Sequence, residues 1–220
     1  MKLFITGTDT GIGKTYVAAA LAQQALLEGL SVGYYKPIQT GTPPGELAED
    51  CDFVQSALDQ RVPVFNRYCF APPVTPSVAD TEGIIRFEAI AGDVETYNRQ
   101  FDLLLVEGAG GLMVPVTPDS LMIDLIEALA MPVVLVAHSR LGTLNHTLLS
   151  VEALMQRNIP LHGIVINFYP ESLDEAPLAV QTLIPTLKQH LPAEIPVWTC
   201  PESSAHEKTG PLCSDPVFSF

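Results

Sequence analysis

The chain has 220 residues, of which 47% are hydrophobic and 16% charged. That is enough apolar length for a folded domain and too little charge for a disordered one. Its formal net charge of −14 has the wrong sign for a nucleic-acid backbone or an anionic membrane surface, so neither is an expected partner. Cys51, Cys69, Cys200 and Cys213 include no C-x-x-C pair and are expected to stay free thiols in a reducing cytoplasm. Residues 1–6 run straight into the first motif, which leaves no room for a signal peptide. The longest apolar run, residues 128–137, is about half a membrane span and is broken by Pro132. A cytoplasmic protein is expected.

The first predicted strand is Lys2–Thr6. It leads into Gly7-Thr8-Asp9-Thr10-Gly11-Ile12-Gly13-Lys14-Thr15, which opens a predicted helix over Lys14–Glu28. Glycines let a backbone fold tightly enough for its N–H groups to converge on phosphate oxygens, and the helix N-terminus adds partial positive charge. Lys14 is placed to reach the β- and γ-phosphates, and the Thr15 hydroxyl to ligate Mg²⁺. The strict loop pattern has glycine where this chain has Thr8, and Gly7 stands one residue earlier. The loop is therefore a variant with five residues between its outer glycines.

The second strand, Ser31–Lys36, ends in Lys36-Pro37-Ile38-Gln39-Thr40-Gly41. A dinucleotide fold would place an acid there to hold a ribose, so the lysine excludes that reading. Its charge suits a carboxylate, a carbamate or a phosphoryl group in transfer. A helix is predicted over Leu47–Leu58, and Asp50-Cys51-Asp52 at its start can supply a helix cap or a metal ligand. Another helix is predicted over Ile85–Arg99.

The continuously apolar strand Asp102–Val106 then runs into Glu107-Gly108-Ala109-Gly110-Gly111. An acid at the end of a buried strand is costly without a cation, so Glu107 is a candidate Mg²⁺ ligand. A helix over Leu121–Ala130, a strand over Val133–Ala137 and a helix over Leu144–Arg157 follow. Strand Gly163–Asn167 ends in an asparagine that can read a base edge or cap a turn. A helix over Leu178–His190 and a weak strand over Ile195–Trp198 complete the pattern. The tail from Ser203 to Phe220 has no helical period and is expected to be irregular. No histidine spacing suits a metal, and no Ser-His-Asp arrangement appears.

Short apolar runs alternating with amphipathic stretches predict a single-domain, doubly wound α/β fold. Its sheet is mostly parallel with helices on both faces. Ligands in such folds bind beyond the carboxyl ends of the strands.

Together, GTDTGIGKT at 7–15, KPIQTG at 36–41, EGAGG at 107–111, LGTLNHTLL at 141–149, GIVIN at 163–167 and IPVWTCPE at 195–202 resemble the dethiobiotin synthetase family. The resemblance spans residues 2 to about 202. It implies a P-loop NTPase-type domain over 1–202, an ATP- and Mg²⁺-dependent cyclo-ligase, and the substrates 7,8-diaminopelargonic acid and CO₂. It also implies biotin biosynthesis as the setting and a homodimer as the assembly.

The family's roles fall on Thr10, Lys14 and Lys36 around the reacting amine and its carbamate. ATP would contact Asp9, Thr10, Gly11, Ile12, Gly13, Lys14 and Thr15, with Asn167, Pro196, Val197, Trp198 and Glu202 around adenine. Thr40, Gly110, Gly111 and, across the dimer, Asn145 would help hold the substrate. Thr15, Asp52 and Glu107 would hold Mg²⁺, Asp52 matching the family's aspartate better than Asp50. The main rival is a partition- or septum-positioning ATPase of the same superfamily. Those proteins carry an extra lysine early in the loop, where this chain has Asp9, and many end in a basic membrane helix. An amidating ligase of the cobyrinate type would need a glutamine amidotransferase domain for which no chain length remains.

Overall fold

The structure, a computed structural model, describes residues 1–170, 172–174 and 176–201. Seven strands form one sheet in the order β3 (Val64–Phe70), β2 (Val32–Thr40), β4 (Leu103–Gly111), β1 (Lys2–Gly7), β7 (Val133–His138), β8 (Leu161–Tyr169) and β9 (Val197–Pro201). Every neighbouring pair is parallel. A separate two-stranded hairpin joins β5 (Pro115–Thr117) to β6 (Ser120–Leu121).

Strand periodicity sorts the core into two layers. Leu3, Ile5, Tyr34, Leu103, Leu105, Val134 and Val136 face helices α1 (Lys14–Leu27) and α2 (Glu49–Ala57). The alternate residues Phe4, Tyr35, Leu104, Val106, Val133 and Leu135 belong to the opposite layer. That layer also takes in buried residues of α4 (Phe87–Asn98), α5 (Met122–Leu129), α6 (Thr143–Gln156) and α8 (Leu183–His190). The central strands are buried on both faces, which is why they read as unbroken apolar runs.

The sequence reading lacks the β5–β6 hairpin and ends β2 and β4 at Lys36 and Val106 rather than Thr40 and Gly111, and three further features differ. Edge strand β3 carries Asn66 and Arg67 and has one buried residue, Phe70, so it shows no apolar run. A four-residue helix α3 (Pro76–Ala79) sits between β3 and α4. The helix expected over 178–190 is two pieces, α7 (Leu178–Gln181) and α8. In one continuous helix the Pro185 ring would collide with the Gln181 carbonyl, and the break at Thr182 avoids this. Among the described residues no helix is long and apolar enough to cross a membrane. Among the described residues, Cys51, Cys69 and Cys200 form no disulfide with one another. Cys213 and the tail expectation for 203–220 lie outside the described residues.

Candidate active site

The sheet's carboxyl edge holds the site. β1 ends at Gly7, the loop doubles back, and α1 begins at Lys14 with no side chain capping its first N–H groups. Those donors are left for an anion. Gly13 has φ +81, and a Cβ there would collide with the Asn167 amide. The Asn167 Nδ2 donates to the Ile12 carbonyl at 2.9 Å, which fastens the end of β8 to the loop. Its Oδ1 is buried with no protein partner. Lys14 curls over the loop and donates to the Asp9 carbonyl at 3.2 Å. Burial holds its pKa below the ordinary lysine range, against the opposing pull of Glu107. The Asp9 carboxylate accepts from the Thr10 N–H at 2.7 Å and pairs with Arg140 at 3.1 Å on the surface.

Beside the loop lies a cluster of charged groups. Tyr34 pairs with Leu105 across β2 and β4, so strand alternation puts Tyr34, Lys36, Leu105 and Glu107 on the face that α1 and α2 cover. Lys36 is 4% exposed and Glu107 1%. The Lys36 ammonium lies 2.6 Å from Asp50 Oδ2 and 2.9 Å from Glu107 Oε1, and it donates to the Gly108 carbonyl at 3.2 Å. The Thr15 hydroxyl reaches both acids, at 3.0 Å from Asp50 Oδ1 and 3.1 Å from Glu107 Oε1. Tyr34 donates to Glu107 Oε2 at 2.8 Å.

Burial works against the charge on Lys36, but Glu107 and Asp50 outweigh it and raise its pKa above the usual lysine range. Burial likewise opposes the charge on Asp50, and Lys36 outweighs it, holding that carboxyl below the usual range. Two carboxylates converge on a buried cation, and one hydroxyl donates to both of them. Such a hard-oxygen set suits Mg²⁺, with the Lys36 ammonium standing in for the metal's charge.

A cavity of about 420 Å³ opens over this cluster, with Thr10, Lys14, Thr40, Gln39, Gly110 and Phe168 among its walls. A Cβ on Gly110, whose φ is +69, would stand 3.5 Å from Thr10 Oγ1, and Gly111 pairs with Gly7. The glycine run of β4 therefore lies against the loop. A larger cleft of about 720 Å³ sits at edge strand β3 and holds none of these residues.

The structure brings Thr10, Gly11, Gly13, Lys14, Thr15, Lys36, Thr40, Glu107 and Gly110 to one cavity, with Asp9, Ile12, Gly111 and Asn167 in the loop and strands that frame it. Asp52 is corrected. Two residues along a helix is a turn of roughly 200°, so Asp50 and Asp52 cannot face the same way. Asp50 faces Thr15, and Asp52 is exposed.

Pro196, Val197 and Trp198 do not line the cavity either. Val197 and Trp198 open β9 beside Ile164 and Val165, and the Trp198 ring packs over Gly163 and 5.9 Å from the His162 ring. Register carries Val197 and Trp198 across β8 and β7 to the level of Thr6 and Gly7, where β1 gives way to the loop. Pro201 pairs with Tyr169 at the end of β8. Glu202 lies outside the described residues. Asn145 is exposed on the first turn of α6 and does not line the cavity.

Tyr34, Gln39 and Phe168 escaped the sequence reading. Tyr34 and Phe168 look like core residues in sequence. Only the spacing of two between Tyr34 and Lys36 hints that they share a face.

Comparison with known proteins bears on this site. Residues 1–197 match a family model described as an AAA domain. The chain is 46% identical over 169 residues to the ATP-dependent dethiobiotin synthetase BioD of Anaeromyxobacter sp. (strain Fw109-5), covering 75% of each chain. It is 42% identical over 174 residues to the protein of that name from Methanocaldococcus jannaschii, covering 75% of this chain and 78% of that one. Among solved structures, a ParA family ATPase from Chlorobium tepidum superposes with a TM-score of 0.58 at 14% identity, covering 92% of this chain and 85% of that one. A MinC:MinD cell division complex of Aquifex aeolicus gives 0.58 at 14%, with 92% and 82% covered. These structural likenesses establish a shared fold and nothing narrower.

Proposed function

The chain belongs to the ATP-dependent dethiobiotin synthetase family, and from that premise we propose how its residues close the ring. It is an ATP-dependent cyclo-ligase of biotin biosynthesis. In the proposed arrangement, the backbone from Asp9 to Gly13 cradles the ATP phosphates, and Lys14 leaves the Asp9 carbonyl to meet the β- and γ-phosphates. Asn167 directs its free Oδ1 to the adenine amino group. Thr15, Asp50 and Glu107 hold Mg²⁺, which neutralises charge on the β- and γ-phosphates when bound. Thr10, Thr40, Gly110 and Gly111 line the place of 7,8-diaminopelargonic acid.

The reaction needs positioning and charge neutralisation rather than a protein nucleophile. One amine adds to CO₂ and loses a proton to give a carbamate. A carbamate oxygen attacks the γ-phosphorus and ADP leaves, giving a carbamic–phosphoric anhydride. The second amine attacks the anhydride carbonyl, closes the five-membered ureido ring and expels phosphate. Lys36 turns from the two carboxylates to the carbamate and steadies the charge in transfer. The observation that carries this reading is the Lys36 ammonium held 2.6 Å from Asp50 and 2.9 Å from Glu107 beside the phosphate loop. It is a buried cation within reach of both metal ligands and substrate. A cytoplasmic setting suits an ATP user whose described cysteines form no disulfide with one another.

A homodimer completes the site. Leu141 is 86% exposed and Leu149 57%, and Asn145 lies one turn before Leu149 on α6. These two exposed leucines suit contact with a second copy, whose Asn145 would reach the substrate. Mixing tests it. Lys36→Met and Asn145→Ala subunits, each inactive or nearly so alone, are co-assembled at equal amounts. Half the dimers are then mixed, and each mixed dimer has one intact site. Recovery of about a quarter of wild-type activity is expected. No recovery would mean that each chain holds a complete site.

A further inference from the structure

Glu107 has two carboxylate oxygens with different neighbours. Oε1 faces Thr15 and Lys36, at 3.1 and 2.9 Å. Oε2 points back into the core and accepts from the Tyr34 hydroxyl at 2.8 Å. Tyr34 is 0% exposed and packs in the layer under α1 and α2, so its hydroxyl is aimed by a ring that cannot move freely. A buried carboxylate oxygen with no donor would turn toward whatever donor remains, here Thr15 or Lys36. We propose that Tyr34 is a positioning residue, whose hydroxyl fixes the Glu107 carboxylate so that Oε1 is presented to the metal and to Lys36. Tyr34 touches neither nucleotide nor substrate and acts through Glu107 alone. Partners of this kind orient metal ligands in many sites. The inference rests on the reading of Glu107 as a Mg²⁺ ligand given above.

The test uses the full chain and ADP, with binding measured by calorimetry in excess Mg²⁺ and again in EDTA. Tyr34→Phe keeps the ring and its packing and deletes only the hydroxyl, so the variant folds. Wild-type protein binds ADP more tightly with Mg²⁺ than without. In Tyr34→Phe the EDTA affinity stays at the wild-type value, and the gain from Mg²⁺ falls about 10-fold. Tyr34→Leu, which removes ring and hydroxyl together, loses the gain to the same extent. Equal Mg²⁺ gains in wild type and Tyr34→Phe would overturn the proposal, as would equal losses with and without metal, since a packing defect weakens both. Failure of the underlying reading looks different. Wild-type protein would then show no gain from Mg²⁺, or Glu107→Gln would keep it.

Discussion

Lys36→Met lowers dethiobiotin formation by about 10²- to 10³-fold, the loss expected when one group that stabilises transition-state charge is removed. ADP affinity in EDTA stays within about twofold of wild type, because the loop, Lys14 and the helix N-terminus hold the phosphates without Lys36. The split between product formation and nucleotide binding is the diagnostic, and single-turnover measurements beside calorimetry read both. An equal loss in both would make Lys36 a nucleotide ligand. The same variant leaves Asp50 and Glu107 adjacent and uncompensated. Breaking such a buried pair costs about 3 kcal/mol, so the metal-free variant melts lower than wild type and Mg²⁺ recovers most of the difference.

Asp50→Asn and Asp52→Asn form the second decisive pair. Asp50 Oδ1 is 3.0 Å from Thr15 Oγ1, and Oδ2 is 2.6 Å from Lys36. Replacing this carboxylate by an amide removes a hard anionic ligand, and the gain in ADP affinity from Mg²⁺ falls on the order of 100-fold. Asp52 is on the exposed side of the same helix, so Asp52→Asn leaves both the gain and the turnover unchanged. Surface substitutions of that kind fall within about 0.5 kcal/mol in stability. The opposite pattern, with Asp52 critical and Asp50 silent, would reverse the assignment of the metal ligand.

The two aspartates also mark how far sequence reaches. The buried strands were legible because a parallel sheet covered on both faces demands unbroken apolar runs, as in Leu103–Val106 and Val133–Ala137. The phosphate loop was legible because its glycines and Lys14 sit between such a strand and a helix. Choosing Asp50 over Asp52 depends on where α2 begins and how it is rotated, and both residues suit the start of a helix. Edge strand β3 was lost because its half-exposed residues carry little apolar signal. The IPVW segment was placed near the base by motif alone. In the sheet Val197 pairs with Ile164, in the middle of β8. Tyr34 was invisible as chemistry because a tyrosine in an apolar strand is usually core, and its partner Glu107 is 73 residues away.

The most direct measurement combines the protein with Mg-ATP, bicarbonate and 7,8-diaminopelargonic acid, and follows phosphate release together with product mass. One dethiobiotin per phosphate, with phosphate release that depends on the diamine, is the expected result. ATP hydrolysis that ignores the diamine and yields no dethiobiotin would contradict the assignment and favour a switch ATPase of the ParA and MinD kind.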